Sequence, residues 1–309
     1  MSFIAGPVRV SVPATTANLG PGYDSLALAL AWREELHAEV IDAGLQIEVT
    51  GPQSDEVPRD ASHLVLRALT RGFEELGVET PGLRLSCTTS VPHGRGLGSS
   101  AAAIVGGLAL ARALVPGGER RLADADVLRI GAEMEGHPDN VAAALYGGLV
   151  ISGERRPDET DPPTEVSERF FAHRARVHPD LSVSVFIPRV ALATTLARSL
   201  LPTEVPHRDA AANAGRAALL VAAIAGAPEM LFTATQDYLH QEYREPAMPR
   251  TLALVHGLRA AGIAATVSGA GPTVLALGSS AQVQDSLRWC PPGWEARVLE
   301  IDPDGVLPG

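Results

Sequence analysis

The 309-residue sequence contains no lysine, so all 25 of its basic side chains are arginines. P-loop proteins place a lysine on the β- and γ-phosphates, and protein kinases use a lysine on a strand. Schiff-base enzymes need a lysine amine as their nucleophile. These three classes are therefore excluded, and any phosphate group must be bound by backbone N–H groups, hydroxyls, arginine or a metal ion.

Cysteine, positive charge and long apolar stretches are also scarce. Cys87 and Cys290 are too few for a disulfide scaffold or a cysteine-rich zinc site. The net charge of −11 is unfavourable for binding nucleic acid or an anionic membrane. The longest apolar stretch, residues 101–111, is too short to span a bilayer, and no signal peptide is evident. These absences predict a cytoplasmic protein that binds neither nucleic acid nor membrane.

Helical and strand patterns alternate in both halves of the chain, which favours an α+β or α/β fold in two domains. Residues 8–12 look like a strand that ends at Pro13, and residues 62–76 have helical spacing with Ser62 as N-cap. Residues 229–243 also indicate a helix. Because residues 153–168 are polar, charged and rich in proline, they are the best candidate linker. We expect an N-terminal domain over residues 1–160 and a C-terminal domain over residues 161–309.

The strongest local signal is the glycine-rich segment PHGRGLGSSAA at residues 92–102, between a predicted strand and a predicted helix. Glycine at three alternate positions lets the backbone turn sharply and approach a ligand. Free N–H groups and the dipole at the start of the helix then favour phosphate. The dinucleotide motif G-x-G-x-x-G is a poor match, because Ser99 stands at its third glycine. A plain strand-to-helix turn with Ser99 as N-cap would explain the same residues.

Several segments resemble, in order, those of the GHMP kinases, a superfamily of small-molecule kinases. They are VPATTANLGPGYDSLALAL at residues 12–30, the glycine-rich segment, EGHPDNVAAALYGGLV at 135–150 and VSGAGPTVLAL at 267–277. PHRDAAANAGRAALL and HQEYREPAMP fit as well. The resemblance implies an α+β, two-domain GHMP kinase fold: an N-terminal domain like ribosomal protein S5 domain 2 and a ferredoxin-like C-terminal domain.

Within this superfamily, the segments resemble the family that uses ATP to phosphorylate L-homoserine to O-phospho-L-homoserine, a step toward threonine. ATP and Mg²⁺ are thus the implied cofactors. The implied ATP-binding residues are Pro92, His93, Gly94, Arg95, Gly96, Leu97, Gly98, Ser99, Ser100, Ala101 and Ala102. Two alternatives stay open: a superfamily kinase acting on mevalonate or shikimate, and a non-catalytic nucleotide-binding regulator on the same fold.

The resemblance assigns Ser100 and Glu133 to the metal ion, although a solvated helix face would also explain this glutamate. It places Asn140 at the acceptor hydroxyl, with His137 and Thr194 as further catalytic residues. Because asparagine cannot take a proton at neutral pH, the implied mechanism is positioning and charge stabilisation without a strong base. Asp139 is adjacent, so a carboxylate role stays open, and helix capping is the structural alternative.

For the substrate, the resemblance implies binding by Asn18, Asp24, His137, Asn140, Arg198 and Arg244. Asp24 would face the α-ammonium group, and the two arginines suit the α-carboxylate, which arginine binds in bidentate fashion. A turn alone would explain the first two residues, and each arginine could simply lie on the surface. A homodimer is compatible with the resemblance, although no segment identifies an interface.

Overall fold

The computed structural model of the chain describes residues 3–155 and 169–309. Within these ranges, the larger sheet has seven strands: β1 (Val8–Asn18), β2 (Gly22–Ile41), β3 (Leu45–Thr50), β4 (Gly82–Thr88), β5 (Leu149–Glu154), β6 (Phe170–Ala175) and β11 (Leu307–Pro308). The strand order is β11-β1-β2-β4-β3, and β5 pairs with both β2 and β6. Strands β3 and β4 pair in parallel, and the other pairs are antiparallel.

Among the described residues, five helices accompany this sheet: α1 (Leu64–Glu75), α2 (Ser99–Leu114), α3 (Gly118–Arg121), α4 (Asp124–Glu135) and α5 (Asp139–Tyr146). Helix α2 is central and is buried along most of its length. Its small residues permit this position. A Cβ on Gly106 would lie 2.2 Å from Leu36 of β2, and one on Gly107 would lie 2.4 Å from the Val65 carbonyl oxygen of α1. This close packing fixes the position of α2, whose first residue, Ser99, lies within the glycine-rich segment.

The smaller sheet contains β7 (Leu181–Ile187), β8 (Ala264–Val267), β9 (Val274–Ser279) and β10 (Glu295–Leu299), in the antiparallel order β10-β7-β9-β8. Its accompanying helices are α6 (Thr194–Ser199), α7 (His207–Gly226), α8 (Leu231–Ala234), α9 (Pro249–Ala260) and α10 (Ser280–Ser286).

The two sheets share an apolar core. Leu28 and Leu30 of β2 belong to the same buried cluster as Val183 and Val185 of β7 and Leu220 of α7. Helices and strands thus combine as predicted for an α+β protein. The predicted linker begins inside β5, and its residues 156–168 lie outside the described residues. The predicted division after residue 160 lies there too and stays a prediction. Across the described ranges, no helix has both the length and the apolar character needed to cross a membrane.

Pro13 does not end the first strand, so that prediction was wrong. Strand β1 continues to Asn18, and its register against β2 shifts between Pro13 and Ala14. Proline has no N–H to donate to a ladder and is accommodated at such irregularities.

The first helix begins at Leu64, with His63 rather than Ser62 at the N-cap position. The Ser62 hydroxyl instead donates to Asp60 Oδ1 at 2.6 Å. Ser62 is thus part of the preceding turn, and the predicted cap was wrong.

The helix predicted over residues 229–243 is interrupted. A 3-10 turn at Pro228–Met230 leads into the short α8, and a second 3-10 segment follows at Glu242–Ala247. Between them, the Asp237 carboxylate accepts the backbone N–H groups of residues 239–241. A side chain that satisfies these donors competes with the helix and gives this part of the chain its turn.

Candidate active site

The glycine-rich loop is held between β1 and the turn before β9. Gly94, Gly96 and Gly98 have φ angles of 64°, 76° and 68°, in the left-handed region that favours glycine. A Cβ on Gly96 would lie 2.3 Å from the Ser268 carbonyl oxygen, and one on Gly98 would lie 1.8 Å from Thr15 Oγ1. No larger residue fits at the last two positions, which explains the glycines that the sequence shows there.

Two cavities meet at the start of α2, and both are lined by Ser99 and Ser100. One has a volume of about 350 Å³ and is largely apolar, although Glu34, His63 and His93 contribute to its lining. The other has a volume of about 250 Å³ and is polar. The predicted catalytic and substrate-binding residues all line the polar cavity: Asn18, Asp24, His137, Asn140, Thr194, Arg198 and Arg244.

The predicted ATP-binding residues divide between the cavities and the core. Gly94, Gly96, Gly98, Ser99 and Ser100 line the polar cavity, while His93, Ser99, Ser100 and Ala102 line the apolar one. Leu97 and Ala101 are buried in apolar clusters. The Arg95 guanidinium donates to the carbonyl oxygens of His93 and Arg189, so it is engaged with backbone. Pro92 lies at the start of the loop and lines neither cavity.

The structure places Glu135, not Glu133, beside Ser100. The Ser100 hydroxyl donates to Glu135 Oε1 at 2.5 Å, whereas the nearest ion-pair partner of Glu133 is Arg129, at 3.7 Å. Residues two apart on a helix point about 200° away from each other, so α4 can present only one of these glutamates to the loop. Ser100 therefore contacts Glu135 and not Glu133, while the metal site predicted at Ser100 and Glu133 stays a prediction. Burial raises the pKa of the Glu135 carboxyl, and the hydrogen bond from Ser100 opposes this shift.

Asn140 is fixed by a threonine that sequence reasoning missed. Thr15 Oγ1 donates to Asn140 Oδ1 at 2.7 Å. Beside them, the buried Asp139 accepts the Asn140 backbone N–H at 2.7 Å through Oδ1, which also lies 2.5 Å from His137 Nδ1. Burial lowers the pKa of His137, but Asp139 and Glu135 outweigh it and raise this pKa overall. The Asn140 amide is held mainly by its oxygen. Its Nδ2 group donates one long hydrogen bond to Asp139 Oδ1, at 3.4 Å, and the amide has a second N–H that can donate in the cavity.

The end of β1 and the start of β2 have unusual backbone conformations and place Asn18 and Asp24 at the cavity. Asn18, Leu19 and Asp24 have φ angles of 67°, 49° and 53°, which are unusual for residues other than glycine. Asn18 Nδ2 donates to the Gly269 carbonyl oxygen at 2.8 Å, and Asn18 Oδ1 accepts the Asp24 backbone N–H at 3.0 Å. In turn, Asp24 forms a bidentate ion pair with Arg198 of α6. The residue predicted to bind the α-ammonium group is therefore in contact with one of the two arginines predicted to bind the α-carboxylate.

Arg244 is 1% exposed, although it lines the polar cavity. Its guanidinium donates to the carbonyl oxygens of Ala197 and Gly269, each at 3.3 Å, and to His240 Nδ1 at 3.1 Å. These three acceptors are uncharged, and burial lowers the pKa of the guanidinium. Thr194, in contrast, is exposed at the first position of α6. A buried cation at a polar cavity is suited to binding an anionic ligand group.

Models of known protein families match one region in each half of the chain. A model of the GHMP kinases N terminal domain matches residues 63–148, and a model of the GHMP kinases C terminal domain matches residues 216–288. The chain belongs to the GHMP kinase family. This membership confirms the predicted two-domain fold class and implies ATP as the phosphoryl donor.

Relatives with long matches carry a more specific name. A homoserine kinase from Streptomyces avermitilis is 49% identical, over 99% of this chain and 98% of its own. One from Rhodococcus erythropolis is 46% identical, over 97% and 95%. The crystal structure of homoserine kinase from Cytophaga hutchinsonii superposes with a TM-score of 0.82 at 25% identity, covering 98% of this chain and 97% of the other.

Proposed function

We propose that this chain transfers the γ-phosphoryl group of ATP to the hydroxyl of L-homoserine and releases O-phospho-L-homoserine and ADP. The observation that carries this assignment is the meeting of an apolar and a polar cavity at Ser99 and Ser100. A nucleotide base and an amino acid need pockets of opposite character, and the phosphoryl group must pass between them. The homoserine kinases that match nearly the whole chain support homoserine as the amino acid.

ATP binds with its base in the apolar cavity and its phosphates along the glycine-rich loop. Backbone N–H groups at the start of α2 and the helix dipole stabilise the phosphate charge, so no lysine is needed. The cavity also offers hydrogen-bonding groups for a base, because His63 Nδ1 and His93 Nε2 are buried without a partner among the described residues.

Mg²⁺ fits the donor set beside this loop. Ser100 and Glu135 supply a hydroxyl and a carboxylate in contact with each other, and Mg²⁺ prefers oxygen ligands. When bound there, it would neutralise charge on the phosphates. Whether the ion is held by this pair is part of the proposal, as is the choice of Glu135 over Glu133.

Homoserine is recognised by its two charged groups. Arg244 and Arg198 bind the α-carboxylate, while Asp24 and Asn18 face the α-ammonium group. The hydroxyl at the other end of the substrate reaches Asn140. Mevalonate and shikimate have no ammonium group to pair with Asp24, so the polar cavity favours an amino acid.

Catalysis rests on positioning. The substrate oxygen forms a bond to the γ-phosphorus as the bond to the ADP oxygen breaks, and the hydroxyl proton leaves to a phosphoryl oxygen or solvent. Asn140 Nδ2 donates to the substrate oxygen, and His137 and Thr194 lie beside the transferred group. The loose transition state of phosphoryl transfer allows such a mechanism without a strong base.

We place the enzyme in the cytoplasm as a homodimer, with its domains divided near residue 160.

A coupled ADP-release assay tests the assignment with homoserine, threonine, serine, mevalonate and shikimate as acceptors. We expect strong homoserine-dependent release, and ³¹P NMR should identify the phosphate monoester. A preference for mevalonate or shikimate would reassign the substrate. ATP binding without turnover of any acceptor would instead identify a non-catalytic nucleotide-binding protein.

A further inference from the structure

His240 is buried beside the polar cavity, where it contacts two regions that are far apart in the sequence. Its Nε2 lies 2.7 Å from the carbonyl oxygen of Gly20, in the turn between Asn18 at the end of β1 and the start of β2. Its Nδ1 lies 3.1 Å from Arg244 Nη1. The imidazole thus bridges this turn and the buried guanidinium, and it takes no part in the proposed reaction.

The two hydrogen bonds define a single tautomer. A carbonyl oxygen can only accept, so Nε2 must carry the proton that is donated to Gly20. A guanidinium can only donate, so Nδ1 must be unprotonated and accept from Arg244. The ring is therefore neutral. Burial lowers the pKa of His240 and supports this state, and it outweighs the opposing effect of the Asp237 carboxylate, which lies 3.6 Å from Nε2.

The surroundings hold the ring in place. Its plane is tilted by 36° to the ring of Tyr23, at a centroid separation of 5.3 Å. Gly20 packs closely against the turn after α8, since a Cβ there would lie 2.5 Å from the Thr235 carbonyl oxygen. The backbone N–H of His240 donates to Asp237, which anchors the turn that carries the imidazole.

We propose that His240 is a positioning residue that acts through Arg244. Its neutral imidazole ties the guanidinium to the Gly20 turn, so that Arg244 and Asp24 keep the spacing that an amino acid's carboxylate and ammonium groups require. This inference rests on the proposed function, since it concerns how the substrate is held. The imidazole itself does not touch the substrate.

Three substitutions separate the two hydrogen bonds. In His240→Asn, the amide oxygen can replace Nδ1 as acceptor for Arg244, and the bond to Gly20 is lost. In His240→Gln, the longer amide can replace Nε2 as donor to Gly20, and the bond from Arg244 is lost. His240→Phe retains the ring and removes both bonds.

We expect His240→Phe and His240→Gln to raise the KM for homoserine at least tenfold, with the KM for ATP changed less than twofold. Both variants should discriminate less than the wild type between homoserine and its carboxyl-amide. His240→Asn should retain most of that discrimination. If the KM values for both substrates rise together, or if discrimination is unchanged in the Phe and Gln variants, His240 only fills space and the proposal is wrong.

Nitrogen-15 NMR of the imidazole in the ligand-free wild type gives a readout independent of the substrate and of variant folding. We expect the Nε2–H tautomer with an unprotonated Nδ1, and a changed Nδ1 shift in Arg244→Ala. An Nδ1–H tautomer or an imidazolium at neutral pH would overturn the proposal. If the wild type fails to phosphorylate homoserine but shows the expected tautomer, then the assigned substrate is wrong while the bridge stands.

Discussion

Arg198 and Asp24 bind each other at the polar cavity, with Nη1 2.9 Å from Oδ2 and Nη2 2.7 Å from Oδ1. Both side chains are about one-third exposed, at 36% and 32%. In the ligand-free protein, this pair neutralises the two charges that we assign to binding the α-carboxylate and the α-ammonium group of homoserine. Binding of the zwitterion would exchange this internal pair for two pairs with the substrate.

The sign of a double-mutant cycle tests this exchange. We expect Arg198→Ala and Asp24→Asn each to lower kcat/KM for homoserine roughly ten- to a hundredfold, because a hydrogen bond to a charged group contributes ~1.5–3 kcal/mol. In each single variant the ion pair is already absent, so substrate binding no longer has to break it, and this reduces each single loss by the energy of the pair. The loss in the double variant is reduced by that energy only once. The loss in the double variant should therefore exceed the sum of the single losses by about 0.2–1 kcal/mol, the usual contribution of an exposed ion pair.

A double variant that loses less than the sum would show that the pair persists in the complex, which contradicts the exchange. Arg198→Lys is the matched control, since it retains the charge without the planar donor fork and should rescue only partly. The affinity for ATP should change little in all these variants, because the nucleotide is proposed to lie at the glycine-rich loop.

Glu135 and Glu133 form a natural pair of test positions for the metal ion. We expect Glu135→Gln to lower kcat at saturating Mg²⁺ by about a hundredfold or more, because a metal ligand contributes several kcal/mol to transition-state stabilisation. Glu133→Gln should stay within about twofold of the wild type, since its carboxylate lies near Arg129. The measurement is kcat as a function of Mg²⁺ concentration. A large loss in the Glu133 variant with an active Glu135 variant would restore the original assignment.

The difference between these two glutamates shows where sequence reasoning ends. The glycine-rich loop and α2 are predictable because their signal is local: alternate glycines followed by a run of small apolar residues. The glutamate that faces Ser100 depends on the rotational phase of α4 against α2, which tertiary packing sets.

Hydrogen bonds between residues far apart in the sequence cannot be predicted for the same reason. Thr15 lies within the segment that resembles the GHMP kinases, but its hydrogen bond joins it to a residue 125 positions away. The helix predicted over residues 229–243 is interrupted after α8 because the Asp237 side chain accepts backbone N–H groups. Helical periodicity alone cannot reveal these hydrogen bonds.

Thr15 provides a test of the role assigned to Asn140. We expect Thr15→Val to lower kcat roughly tenfold, because loss of a hydrogen bond of ~1–1.5 kcal/mol frees the Asn140 amide to rotate away from the acceptor hydroxyl. Valine has nearly the same shape, so the close approach of Gly98 is retained. Thr15→Ser keeps the hydroxyl and should be much closer to the wild type. Steady-state kinetics at saturating ATP and homoserine measure both variants. Equal losses in the Val and Ser variants would point to packing by the methyl group instead.

Glu34 should make the stability of the ligand-free protein depend on pH. Its carboxylate is 5% exposed and accepts the backbone N–H groups of Val91 at 3.0 Å and Ser90 at 3.3 Å. Burial outweighs these hydrogen bonds and raises the pKa of Glu34 to about 7. Between its ordinary value of 4.5 and about 7, the folded protein therefore keeps a proton that the unfolded chain has lost.

A folded state that binds more protons loses stability as the pH rises. We expect this group to lower the free energy of unfolding by up to about 3 kcal/mol between pH 4.5 and 7.5, since one pKa unit corresponds to about 1.4 kcal/mol. Glu34→Gln is uncharged at every pH and should lack this contribution. Urea unfolding of both proteins across this range isolates the effect, because the other titrating groups cancel in the difference. The stability of the wild type relative to the variant should fall steadily with pH. A constant difference would mean that the carboxyl titrates alike in the folded and unfolded chains, and a rising one would mean that the ionised form is stabilised by the fold.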